Sequence, residues 1–246
     1  MTFDSTIALG FLLGMRHATD ADHVAAVAAT VGRERLVGPA AWIGVWWGVG
    51  HTITIVLVGA AIVLFNWIIE PRLGLAMEFV VGVMLVLLGV RNLRATRRNK
   101  TPARGTSEAA TTHTHMPHIG GTAAARPDRS VAEVVIHTIV RPVVVGVVHG
   151  LAGSAAIALL IMTTIRDPAW AIVYLLVFGA GTIAGMSMIT TAIAMPFASL
   201  GEQSERTHAF VRLATGLASV ALGLFLAYRI AVIDGLFAAS LQWAPK

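Results

Sequence analysis

Apolar residues occupy this chain in long runs, and short polar or charged stretches separate them. Six runs can be marked, over about 5–30, 39–66, 75–94, 140–165, 169–195 and 208–233. Each comes close to the roughly 20 residues a helix needs to cross the hydrocarbon core of a bilayer. The pattern predicts an all-α polytopic membrane protein with six transmembrane helices. The first run has no basic leading segment and no clear small-residue cleavage site, so it is read as a retained span and not a signal peptide.

That first run is interrupted in one place. Ile7–Gly14 leads into Met15-Arg16-His17-Ala18-Thr19-Asp20-Ala21-Asp22-His23, and Val24–Ala29 then resumes the apolar pattern. Ionisable side chains at bilayer depth are costly and persist where they line a polar pathway. Imidazole nitrogen and carboxylate oxygen together form a ligand set for a borderline divalent cation. On a continuous helix, at about 100° per residue, His17, Asp20 and His23 fall along one stripe while Asp22 points away. A local unwinding between His17 and His23 would bring Asp22 back, and broken spans of this kind commonly line transporter sites. Further ligands must then come from other spans, and His51 and His149 are the candidates. Arg16 carries only donors and reads as a counter-ion or snorkelling residue, with Asp20 either its partner or a ligand.

Composition agrees with the membrane reading: the chain is 56% hydrophobic and 13% charged, about half the charged share of a soluble domain. The charge distribution adds a direction. Arg91, Arg94, Arg97, Arg98, Lys100, Arg104, Arg126 and Arg129 lie between the third and fourth runs, and Arg33, Arg35, Arg206 and Arg212 fall on the same side by alternation. Basic loops stay cytoplasmic, which puts both termini outside and residues 96–139 inside an inner-membrane protein. At a membrane edge, topology and anionic lipid account for the basic cluster, so no nucleic-acid partner is expected. Cysteine is absent, which excludes disulfides, thiolate ligation and thiol relays.

A repeat runs through the chain. Gly14-Met15-Arg16-His17 matches Gly146-Val147-Val148-His149 at an offset of 132, Gly48-Val49-Gly50-His51 matches Gly179-Ala180-Gly181-Thr182 at 131, and Gly82 and Gly89 match Gly216 and Gly223 at 134. With three spans per copy, the second copy enters from the opposite face, which makes the two inverted repeats. The predicted organisation is a first three-helix repeat over 1–95, a flexible cytoplasmic linker over 96–139, and a second repeat over 140–246. The linker's His113, His115 and His118 can collect divalent metal, or be part of a solvated, non-binding segment. Gly48, Gly50, Gly150 and Gly153 permit close helix approach. Thr52, Ser154 and Thr182 offer weak oxygen contacts or satisfy backbone carbonyls.

The run Arg16-His17-Ala18-Thr19-Asp20-Ala21-Asp22-His23 resembles the signature of the nickel/cobalt transporter family, a His and an Asp-His pair separated by four residues. Gly50-His51-Thr52 is similar to that family's second motif, and His149-Gly150-Leu151-Ala152-Gly153-Ser154 to a stretch of its shorter, urease-accessory six-span branch. The resemblance implies permeation of Ni2+ or Co2+, with His17, Asp22 and His23 essential and His51 contributing. The chain departs from eight-span members, which carry a carboxylate motif where His149–Ala156 stands here. That departure bears on selectivity and on direction.

The expected function is a permease for a divalent transition metal, nickel before cobalt, supplying metalloenzymes such as urease or hydrogenase. Its metal-site residues are His17, Asp20, Asp22, His23, His51 and His149. The expected partners are the metal ion, membrane lipid and a cytoplasmic metallochaperone or urease maturation proteins, with no cofactor beyond the transported metal. No G-x-x-x-x-G-K-[ST] phosphate loop is present, so the chain hydrolyses no ATP by that route. The alternatives are a small-molecule or proton-coupled exporter on a related six-span scaffold, a metal sensor or scaffold without flux, and an intramembrane metalloenzyme. Against the enzyme stand the absence of an H-E-x-x-H motif and of a separate general base.

Overall fold

In the computed structural model the chain is described over residues 3–31, 37–65, 70–98, 135–165, 167–199 and 205–238. The linker histidines His113, His115 and His118, and the side chain of Ser154, lie outside the described residues. Every regular element described is helical. In chain order these are α1 (Phe3–His17), α2 (Ala21–Val31), α3 (Val37–Phe65), α4 (Pro71–Arg98), α5 (Arg141–Thr164), α6 (Pro168–Ser199) and α7 (Glu205–Tyr228). A π-helical turn over Ile136–Val140 leads into α5, and another over Arg229–Ile233 continues α7.

The helix ends follow local chemistry. Pro71 and Pro168 begin α4 and α6, where a missing N–H costs nothing. The Asp167 carboxylate accepts the Ala169 N–H at 2.9 Å and the Trp170 N–H at 3.5 Å, capping α6. Among the described residues, four segments are long and apolar enough to cross a membrane: Val37–Phe65, Pro71–Thr96, Pro168–Pro196 and Ala209–Ile233. The first apolar run differs from a single span because it is two helices, α1 and α2, each too short to cross alone at about 1.5 Å per residue. The fourth run begins earlier than residue 140, because the π-helical turn extends the helix backward to Ile136.

Packing is paired. α3 lies against both α5 and α6, α1 against α6, and α4 against α7, with α2 lodged against α7 and α4. Large apolar side chains such as Leu12, Leu57, Phe65, Leu87, Phe210 and Phe225 face outward, as a lipid-facing surface requires. Small residues carry the helix contacts instead. A Cβ on Gly14 would run into the Phe178 carbonyl, and one on Gly146 into the Trp47 carbonyl. The same relation holds for Gly50 with Val143 and for Gly181 with Phe11. Hydroxyls add to these seams: Thr182 donates to the Gly14 carbonyl, Thr52 to Gly179 and Thr54 to Val147. Such small-residue packing and interhelical hydrogen bonding replace the hydrophobic drive that lipid cannot supply.

Candidate metal centre

The site begins where the first apolar run breaks. At the end of α1 the backbone tightens: the Thr19 N–H reaches the Arg16 carbonyl at 2.8 Å and the Asp20 N–H reaches that of His17 at 3.1 Å. The Thr19 hydroxyl also donates to the Arg16 carbonyl, at 2.6 Å, as its second donor. The Val24 N–H then bonds the Asp20 carbonyl at 3.0 Å, and α2 starts. Asp22 thus stands in the first turn of a helix, where the positive end of the dipole favours a carboxylate. The break also undoes the geometry that would have turned Asp22 away from the histidines.

Four imidazoles meet here. His17 ends α1, His23 lies in α2, His51 in the middle of α3 and His149 in α5. His23, His51 and His149 are buried, while 16% of the His17 side chain is exposed. The His17 and His51 Nε2 atoms are 3.1 Å apart. Asp22 spans the other side, with Oδ2 at 2.8 Å from His149 Nε2 and Oδ1 at 3.3 Å from His23 Nδ1. Donor atoms gather in two trios, His17/His23/His51 and Asp22/His23/His149, each within 4.8 Å throughout. Buried imidazole nitrogens without a hydrogen-bond partner, His23 Nε2, His51 Nδ1 and His149 Nδ1, complete the picture. Unsatisfied buried nitrogens are costly in a finished core; in His51 and His149 the unpartnered atom is the ring nitrogen other than the Nε2 that meets His17 or Asp22.

A family model described as NicO, high-affinity nickel-transport protein, matches residues 3–233. The chain belongs to the NicO family. It is also 36% identical over 234 residues to a protein named urease accessory protein UreH from Bacillus sp. (strain TB-90), covering 95% of each chain. No solved structure matches it significantly. As a NicO protein it is a membrane permease of nickel and not an enzyme.

Of the residues singled out in the sequence, the NicO fold brings His17, Asp22, His23, His51 and His149 together. Asp20 stands apart from both trios. Its Oδ2 accepts the His17 Nδ1–H at 2.9 Å and the side chain is 55% exposed, so its described ion pair is with His17 and not Arg16. Thr52 and Thr182 face backbone carbonyls. Two neighbours were missed. Phe178 packs on His17 with ring centroids 5.6 Å apart, and Trp47 on His149 at 6.1 Å. Both were reachable: Trp47 precedes His51 by one helical turn, and Phe178 is its counterpart at the repeat offset of 131.

Proposed function

We propose that this NicO protein carries Ni2+ inward through the constellation of His17, Asp22, His23, His51 and His149, and that the metal serves urease. The observation carrying this reading is the convergence of four imidazoles and one carboxylate, three of the imidazoles buried, at a helix break inside an otherwise apolar chain. Neutral imidazole suits nickel, cobalt and zinc, and a carboxylate lowers the net charge of the bound dication. The urease link rests on the name of the Bacillus relative. Inward movement is favoured by an inside-negative potential, at about 2.3 kcal/mol per charge per 100 mV. Cobalt is the second substrate in this reading, and cytoplasmic metallochaperones or urease maturation proteins are the recipients.

The scaffold in this proposal is two inverted three-helix repeats in the inner membrane, with both termini outside. The support lies in contacts that repeat with partners exchanged. An offset of 132 carries Gly14 to Gly146, one of 131 carries Trp47 to Phe178, and the pairs in contact are Gly14 with Phe178 and Gly146 with Trp47. Gly50 with Val143 and Gly181 with Phe11 obey the same exchange. So do the helix pairings, with α1 on α6 answered by α5 on α3.

The test is nickel accumulation by cells expressing the wild type, His17→Ala, Asp22→Ala or His23→Ala, with nickel, cobalt, zinc and iron offered in competition. Each variant is expected to lose at least about tenfold of its uptake while remaining inserted at normal levels. Near-normal nickel uptake by the inserted variants would overturn the assignment of these ligands.

A further inference from the structure

Resting on that reading of the cluster as the nickel site, we propose that it is two stations in series, with a single ion passing from one to the other across His23. The first station is His17, His23 and His51; the second is His23, His149 and Asp22. The two trios of donors share His23 alone. His23 lies between them, its ring centroid 4.7 Å from His17, 5.1 Å from His51 and 4.1 Å from His149, while His51 and His149 are 6.2 Å apart.

Within each trio one pair of donors already stands at the spacing that a shared ion needs. Imidazole–metal bonds of about 2.0–2.1 Å put neighbouring ligands roughly 3 Å apart, and the His17–His51 nitrogens stand at 3.1 Å. In the second trio Asp22 Oδ2 and His149 Nε2 are at 2.8 Å. The two nitrogens of His23 face different surroundings: Nδ1 is turned to Asp22 at 3.3 Å, and Nε2 is buried without a hydrogen-bond partner. A neutral imidazole has one lone pair to give, so His23 serves one station at a time. Two dications this close would also repel strongly. Occupancy therefore alternates.

Each station has one partly exposed member, His17 at 16% in the first and Asp22 at 31% in the second, while His23, His51 and His149 are buried. The first offers the ion three imidazoles, and the second adds a carboxylate that offsets part of its charge. The stations differ in donor class, all-nitrogen against nitrogen plus oxygen, and that difference is measurable.

The experiment uses the full-length protein in lipid nanodiscs, loaded with Ni2+ and read by equilibrium dialysis and nickel X-ray absorption, with uptake measured in parallel. Wild type is expected to bind one nickel per chain. His149→Ala should still bind one nickel with imidazole-only coordination, and His51→Ala one nickel with a carboxylate in the shell. Both should lose at least tenfold of transport, and His51→Gln and His149→Gln should repeat the pattern if an alanine variant fails to fold. His23→Ala should lose binding at either station. Two nickel ions per wild-type chain, one coordination signature shared by both variants, loss of binding in both, or normal transport by either would overturn the two-station model. Normal nickel binding and uptake by His23→Ala would instead overturn the ligand assignment beneath it, so the two failures are told apart.

Discussion

In the proposed site, Asp20 acts on the cluster through His17. By accepting the Nδ1–H at 2.9 Å it fixes the tautomer and turns the Nε2 lone pair toward His51, the support that ligating histidines draw from carboxylates just behind them. Asp20→Ala is expected to weaken nickel binding by about 10–100-fold, the range typical of such supports. Asp20→Asn, whose amide oxygen can still accept that proton, should keep most of it. Calorimetric titration of the purified protein reads both; loss as complete as that of His17→Ala would make Asp20 a ligand. At this scale the sequence pointed to the five residues that converge and also to Asp20, which stands apart, and it left their pairing open. His51 and His149 could be found because they sit at matched phases of a repeat. That Asp20 belongs to His17, and that Asp22 joins His149 to His23, depends on rotamers and on where helices cross, which no spacing encodes.

Among the elements, the break between α1 and α2 was legible for a geometric reason: one continuous helix cannot face Asp22 and His17 the same way. The π-helical turns at Ile136–Val140 and Arg229–Ile233 were not, because a ring wider by one residue is settled by packing and not by local propensity. The contacts between helices rest on backbone touching backbone. Gly146→Val should therefore separate α5 from α3 at Trp47, costing about 1–3 kcal/mol as overpacking does, and lower the melting temperature of the detergent-solubilised protein. Gly38→Ala is the control, since nothing lies within 4 Å of a Cβ there, and its melting temperature should stay within a degree or two of wild type. Equal melting of both variants would show that the close approach at Gly146 does not hold the helices together.

For the molecule as a whole, the absence of native cysteine makes its orientation directly measurable. With basic loops retained inside, a single cysteine at Thr101→Cys should react with a membrane-impermeant maleimide only after cells are opened, and one at Lys246→Cys without opening them. The reverse labelling would invert the proposed topology. In the proposed inverted-repeat scaffold, packing contacts that recur with their partners exchanged make a frame without a front or a back. An ion crossing from either face would meet the same glycine seams, so the frame supplies no ratchet. The proposed donors are lopsided by contrast: His17, Asp22, His23 and His51 all come from the first half, and His149 alone from the second. Any preference for one direction is thus written in a handful of side chains and in the voltage across the membrane, and a reversed gradient should drive the same route backward.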